Sequence, residues 1–342
     1  MKDSYNCLML GSLPLSLNEI TLAPAIISAK IKNKGHNFSF LDINLELYEF
    51  CNQDINLYHE KIEYLCAESK VYTDDPLINR WEQFILDKIA QCNFLLVNVF
   101  SNRSHPVAVR LITETRSRFP EIKILVGGIG SHKILNYIRT FDGTDQRLGK
   151  LLLDNNLIDY WQEDVSLTTI DEAIPTNAVA KESFDFDFSV FNLDRYLWET
   201  EKTLPLVGSF GCVRQCSFCD VINHFPKYSF IEADSLTKQI VSIYNETGTS
   251  KFNFMDSLVN GSLKNFENLL KNLAHSRIQK WLPDDFEWNG TYICRPPSIQ
   301  LDRIHELLPL SGANNLIIGV ESGSDKIRFE MDKKFTNDDL LY

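Results

Sequence analysis

Asn93-Phe94-Leu95-Leu96-Val97-Asn98-Val99-Phe100 is the stretch on which the fold turns. It is a nearly unbroken apolar run with no helical period and no strict alternation. A strand with one wet face alternates apolar and polar residues; a strand covered on both faces does not have to. The run therefore reads as the centre of a parallel sheet with helices on either side. Its surroundings agree. Before it come a strand at Asn6–Gly11, a helix at Ala23–Lys34 ended by Gly35, and a strand at Asn37–Asp42. After it come an amphipathic helix at Pro106–Phe119, closed by Pro120, and a strand at Ile122–Val126 that runs into Gly127-Gly128-Ile129-Gly130. Strand and helix in repeated alternation predict an α/β protein with a doubly wound parallel sheet. Residues Asn44–Gln91 interrupt the rhythm and read as a helical insertion, with its clearest helix at Leu77–Ile89.

The pattern restarts near Leu204. Strands at Leu206–Ser209, Lys251–Met255, Phe286–Tyr292 and Asn315–Val320 alternate with helices at Ala233–Thr247, Leu263–Leu273, Leu301–Leu308 and Asp325–Lys333. These are strand–helix units with crossover spacing, so a second parallel barrel or sheet is expected. The expected domains are a Rossmann-like sheet over 1–163, a linker over 164–204, and a partial (β/α) barrel over 205–342. The linker carries Phe184, Phe186, Phe188, Phe191, Tyr196 and Trp198. That is too much aromatic surface for a solvated tether, and it is expected to pack against both domains.

Composition narrows the function. Thirty-four basic against 46 acidic side chains leave a net charge of −12, which argues against a chain built to grip nucleic-acid phosphates. No apolar run is long enough to span a membrane. The N-terminus lacks the basic flank and small-residue cleavage site of a signal peptide, so a cytoplasmic location is expected. Of the eight cysteines, Cys7, Cys51, Cys66, Cys92 and Cys294 are scattered and read as buried thiols.

The other three lie together, in Gly211-Cys212-Val213-Arg214-Gln215-Cys216-Ser217-Phe218-Cys219. Thiols spaced C-x3-C-x2-C on one loop can converge on one metal centre, and thiolates are the usual ligands of iron–sulfur clusters. Three ligands on a four-iron cluster leave one iron open for catalysis. The competing reading is a Cys3His zinc site completed by His224, although no second cysteine knuckle accompanies the triplet. The loop follows a strand. Parallel barrels carry their chemistry on the loops at the C-terminal strand ends, and the other candidates fall there too: Asp256 and Ser257 after the second strand, Cys294 and Arg295 after the third, Glu321 to Ser324 after the fourth.

With Phe218 as the aromatic before the last cysteine, this loop resembles the signature of the radical S-adenosylmethionine superfamily. Gly319-Val320-Glu321-Ser322-Gly323-Ser324, followed by Met331-Asp332-Lys333-Lys334, resembles that family's fourth-strand motif. The resemblance implies a 4Fe–4S cluster on Cys212, Cys216 and Cys219 and S-adenosylmethionine on the open iron. It implies reductive cleavage to methionine and a 5′-deoxyadenosyl radical, with the electron coming from a flavodoxin or ferredoxin. Phe218 would pack near the adenine. Glu321 and Ser322 would stand near the ribose or the methionine end. Asp256 and Ser257 would take the methionyl amino group, though the family's glycine-rich G-G-E is absent. Arg295 would hold a carboxylate, or else form a salt bridge at the barrel rim.

The first half resembles the cobalamin-binding domain fused to many such proteins, in Ala23–Asp42 with Gly35-His36, in Leu95–Phe100, in Gly127-Gly128 and in Leu151–Trp161. This implies cobalamin as a further cofactor, on the C-terminal edge of the sheet beside Gly127 and Gly128, facing the barrel. No D-x-H-x-x-G marks an axial histidine; His36 and His105 read as turn or capping residues. A cobalamin-free scaffold is the alternative. At ~31 residues per barrel unit, 205–342 holds about four of the family's six units. Two readings follow: an enzyme of the methyltransferase or carbon-skeleton-modifying kind acting on a small molecule or peptide, or a truncated non-catalytic iron–sulfur subunit, or half of a split enzyme, completed by a second chain.

Overall fold

A computed structural model describes residues 4–67, 75–134, 146–163, 167–177 and 185–342. The chain forms two compact units, one from 1–18 and 23–197, the other from 19–22 and 198–342.

The first unit contains β1 (Asn6–Leu10), α1 (Ala23–Asn33), β2 (Asn37–Leu41), α2 (Ile43–Phe50), α3 (Ile55–Leu65), α4 (Pro76–Ile89), β3 (Phe94–Asn98), α5 (His105–Arg118), β4 (Lys123–Gly127), α6 (Leu148–Asp154), β5 (Tyr160–Trp161) and α7 (Thr168–Ala173). The sheet order is β2-β1-β3-β4-β5. All its pairs are parallel, with Leu8 between Ser39 and Leu95. β3 is central, which explains why Phe94 to Val97 are all buried. On one face Cys7, Met9, Phe94, Leu96 and Leu125 pack against Ile31 of α1, Ile170 and Ala173 of α7, and Ile174 just after it. Among the described residues the insertion holds three helices, each opened by an aspartate: Asp42, Asp54 and Asp75 accept from the backbone N–H groups two and three residues on. Each cap satisfies donors that the first helical turn leaves free.

Residues 185–197 cluster with this unit. Phe186, Phe188, Phe191 and Tyr196 are buried. Tyr196 donates its hydroxyl to Asp42 at 2.8 Å, and Phe191 meets Phe40 edge-on at 5.1 Å. Phe184 and the first residues of the expected linker, from Asp164, lie outside the described residues.

The second unit contains β6 (Thr203–Leu206), β7 (Ser209–Phe210), α8 (Val221–His224), β8 (Ser229–Phe230), α9 (Ala233–Thr247), β9 (Lys251–Phe254), α10 (Leu263–Ile278), β10 (Glu287–Tyr292), α11 (Ile299–Leu310), β11 (Ala313–Ile318), α12 (Asp325–Glu330) and α13 (Asn337–Leu341). Its main sheet has the order β11-β10-β9-β6, parallel throughout. Strands that follow one another in the chain are neighbours in the sheet, as in a barrel under construction. Phe254 and Phe266 stand edge-on to the buried Trp288 at 5.6 and 6.1 Å, joining the sheet to α10. The run expected as one strand, Leu206–Ser209, is broken. β6 ends at Leu206, and Ser209 begins a separate antiparallel pair with β8. The cause is a turn at Gly208, whose N–H leaves the sheet to bond Asp256.

Candidate cluster-binding site

The cysteine loop is anchored at its base and braced from the side. At the base, Gly211 has φ 79°, and a Cβ there would lie 3.1 Å from the Lys227 carbonyl, so a glycine is needed for the turn. Below it, Asp256 accepts from the Gly208 N–H at 2.8 Å and from the Ser209 hydroxyl at 2.6 Å. Burial pushes the Asp256 carboxyl up to about 6, against those hydrogen bonds. Asp256 therefore supports the start of the loop with oxygens that already have partners. Ser257 beside it is half-buried.

At the side, the Ser217 N–H donates to the Met331 carbonyl at 3.0 Å. Lys333 lies 5.5 Å from the centre of the Phe218 ring and pairs with Glu321 at 2.6 Å. Phe218 is otherwise open, 54% exposed. Gly319 keeps room for the pair, since a Cβ there would stand 2.7 Å from Glu321 Oε1. Glu321 itself has φ 62°, an unusual conformation for a residue with a side chain. The two segments singled out by motif, Gly211–Cys219 and Gly319–Lys334, thus meet.

The thiols share this environment. Arg214 donates its N–H to Cys212 Sγ at 3.3 Å, and the Cys219 N–H closes a turn on the Cys216 carbonyl at 3.0 Å. Burial pushes the Cys216 thiol up; the Lys333 ammonium draws it down, and the nearby Cys212 and Cys219 raise it again. Among the described residues, no three His, Cys, Asp or Glu side chains are gathered closely enough to hold a single metal ion. His224 lies 3.7 Å from Asp220 on α8. The scattered cysteines are of another kind: burial lifts the Cys7 thiol to about 12 and Cys51, Cys66 and Cys92 to about 11. Cys294 is buried as well.

Arg295 donates through Nη2 to the carbonyls of Asn260 and Gly261, at 3.2 and 2.9 Å. Its partners at the rim are main-chain oxygens. Sequence reasoning missed Arg328. Its guanidinium is fully buried, bonding the Phe335 carbonyl at 3.1 Å, Asn337 at 2.7 Å, and Asp325 and the Ser322 carbonyl. It holds the segment that carries Ser322 and Lys333 in shape. Nothing in the local pattern marks an arginine on a short polar helix as buried.

In the first unit, the order β2-β1-β3-β4-β5 puts the topological switch point between β1 and β3, where such sheets bind ligands. Ser12 after β1 shares a 2.7 Å hydrogen bond with Ser104 and accepts from the Phe100 N–H at 3.0 Å. Gly128 has φ 91°, and a Cβ would fall 2.4 Å from Asn98 Oδ1. The glycine lets the chain after β4 lie against the end of β3. Phe100 and Ile129 stand exposed on this edge, 50% and 47%. Of the two histidines weighed from the sequence, His36 precedes β2, on the opposite edge, where it accepts the Tyr5 N–H through Nδ1. His105 is buried with Nε2 on the Gly130 carbonyl, 2.8 Å away. His132, not anticipated, packs 5.3 Å from the Trp161 ring on the edge after β4.

No family model matches the sequence, and no curated protein matches it. Solved structures do. A cobalamin- and [4Fe-4S]-bound radical S-adenosylmethionine methyltransferase, TsrM from Kitasatospora setae, superposes with a TM-score of 0.64 at 15% identity, over 99% of this chain and 66% of that one. The same methyltransferase with tryptophan substrate and the analogue aza-SAM gives 0.61 at 15% identity, over 98% of this chain and 64% of that one. OxsB, a cobalamin-dependent S-adenosylmethionine radical enzyme holding aqua-cobalamin and S-adenosylmethionine, gives 0.63 at 13% identity, over 98% of this chain and 46% of that one. This chain has the fold of the cobalamin-dependent radical S-adenosylmethionine enzymes. It spans no more than about two thirds of the length of these neighbours, 66% at most. Within that fold, the cysteine loop follows β7, β11 leads to Glu321, and the first sheet has its topological switch point between β1 and β3. No helix among the described residues is long and apolar enough to cross a membrane.

Proposed function

We propose that this chain is a radical S-adenosylmethionine enzyme, with a 4Fe–4S cluster on Cys212, Cys216 and Cys219. One observation carries the reading: three thiols on a single loop, with no acid or imidazole among them, braced against the Glu321–Lys333 segment. The donor set is soft, as iron–sulfur clusters require. A structural zinc site would pair the triplet with a second cysteine knuckle or with two histidines, and the sequence offers no second knuckle. When bound, the cluster supplies the electron that cleaves S-adenosylmethionine to methionine and a 5′-deoxyadenosyl radical.

The chain's own residues do the rest. Asp256 fixes the base of the loop, with Ser257 next to it at the methionyl end. Phe218 offers an open ring face for adenine. Glu321 and Ser322 stand by for the ribose or methionine end, and Arg295 for a carboxylate. Cobalamin belongs to the same reading: Gly127, Gly128, Phe100 and Ile129 give the first sheet a glycine-lined, apolar edge. No histidine weighed from the sequence is placed to serve as an axial ligand there, so the corrin would bind by shape and apolar contact. A methyl transfer to a small molecule or peptide, with a flavodoxin or ferredoxin as electron donor, is the reaction type we favour. All eight cysteines are free thiols, in keeping with a reducing, cytoplasmic setting.

A second reading has its own observation. β11 is an edge strand with Ile317 59% exposed. Another polypeptide segment or chain paired there would complete the sheet, and the present chain would then be a cluster-bearing subunit. The test is anaerobic incubation of the reconstituted chain with dithionite and S-adenosylmethionine. Formation of 5′-deoxyadenosine, lost in Cys216→Ala, supports the enzyme; a cluster without cleavage supports the subunit.

A further inference from the structure

The second sheet presents two unlike faces. One is packed by helices through Phe252, Phe254, Trp288 and Tyr292. The other bears a row of carboxamides. Asn253 on β9 pairs in register with Asn289 on β10, and Asn289 with Asn315 on β11. Parallel partners project their side chains to the same side, at the ~4.8 Å spacing of neighbouring strands. Asn253 and Asn315 are exposed. Asn289 Oδ1 is buried and accepts no hydrogen bond. The Asn253 amide has only the Met255 sulfur, at 3.6 Å.

The layers around this row complete the picture. Toward the N-terminal strand ends, Lys251 is held between Glu201 at 2.5 Å and Glu287 at 3.2 Å, and Asn314 donates to Glu287 at 3.2 Å. That layer is an internally paired plug. Toward the C-terminal ends, where the cysteine loop begins after β7, Thr291 pairs in register with Ile317, and Met255 follows the end of β9; none of the three carries charge. Parallel sheets are normally covered on both faces. A purely apolar cover would strand three amides, and an ionic group would meet no counter-charge in either the amide or the threonine layer.

We infer that the carboxamide row Asn253–Asn289–Asn315 binds a neutral, amide-bearing substrate below the cysteine loop. The inference rests on the proposed function for the word substrate, but binding at the row can be measured without any cluster. A buried, unpaired acceptor at Asn289 calls for an N–H donor, and the amide groups of Asn253 and Asn315 offer both donors and acceptors on either side. An amide supplies both functions and carries no charge, so it matches the row and the layer above it.

The experiment is a titration of the full-length chain, labelled with ¹⁵N-asparagine, by N-acetyl-dialanine amide, with glutarate and 1,4-diaminobutane as charged probes. Side-chain amide signals are assigned by comparison with Asn253→Asp, Asn289→Asp and Asn315→Asp. The expected result is saturable movement of these three signals with the neutral amide alone, and at least a tenfold weaker affinity in Asn289→Asp. Asn315→Asp, at an exposed position that leaves folding intact, is expected to weaken binding likewise. Unmoved or unsaturable signals, equal movement with glutarate or diaminobutane, or full affinity in Asn315→Asp would overturn the assignment. A chain that binds the amide but assembles no cluster would instead count against the proposed enzyme and leave the row standing.

Discussion

Lys333 holds its ammonium 5.5 Å from the centre of the Phe218 ring while pairing with Glu321 at 2.6 Å. One side chain therefore joins a residue inside the cysteine triplet to a residue after the fourth barrel strand. The contact is sequence-distant, so it must come from the tertiary fold rather than from local propensity.

Replacing Lys333 with Met keeps the stem and removes the charge. The expected cost is about 1 kcal/mol of stability, from an ion pair and a cation–π contact near the surface. Urea unfolding under anaerobic conditions measures it, and Lys333→Arg is expected to recover most of the loss. Iron retention by the Met variant should fall as well, because the Cys216 thiol loses the cation that draws it down most.

Asp256 makes a prediction about pH. Its folded pKa of about 6 lies above the ordinary 3.8, so the native state binds its proton more tightly than the unfolded chain. Its contribution is fully present below about pH 4 and is lost as pH rises through about 6. Asp256→Asn does not titrate. The stability difference between variant and wild type should therefore move in the variant's favour by about 2 kcal/mol from pH 4 to pH 7. A difference that stays constant across that range contradicts the burial of this carboxyl.

Much of this was legible in the sequence. The unbroken apolar run at Phe94–Val97 reads as a covered central strand because nothing else explains so many buried side chains in succession. The helix caps at Asp42, Asp54 and Asp75 lie in plain view, yet within the helical insertion the periodicity marks only α4 clearly. α2 and α3 are short and depend on packing. The split between β6 and β7 was invisible because Gly208 leaves the sheet for a carboxylate 48 residues away. Within the site, thiol spacing located the loop. The roles of Arg328 and of the row Asn253–Asn289–Asn315 depend on burial and register, which no local pattern records.

Gly128 tests the ligand edge of the first unit. Alanine there must adopt φ 91° with its Cβ 2.4 Å from Asn98 Oδ1. Gly128→Ala should cost about 1–3 kcal/mol from backbone strain and displaced neighbours. Hydroxocobalamin binding by the full chain, followed by absorbance, should weaken in parallel. Unchanged stability would mean that the turn has room to spare.

The edge at β11 predicts association. Ile317→Lys places a charge on an exposed strand edge, a usual protection against pairing. The variant should sediment as a smaller species than wild type at the same concentration while keeping its thermal midpoint. Identical sedimentation of the two would show that the edge takes no partner of its own kind.

The central claim is that Cys212, Cys216 and Cys219 hold a 4Fe–4S cluster. The most direct measurement is metal and sulfide content after anaerobic reconstitution, in wild type and in the three single alanine variants. The account predicts about four irons and about four sulfides per chain. Most of both should be lost on substituting any of these three cysteines, and none on substituting Cys7, Cys51, Cys66 or Cys92. One zinc per chain in place of iron, or iron that survives in Cys216→Ala, would contradict it.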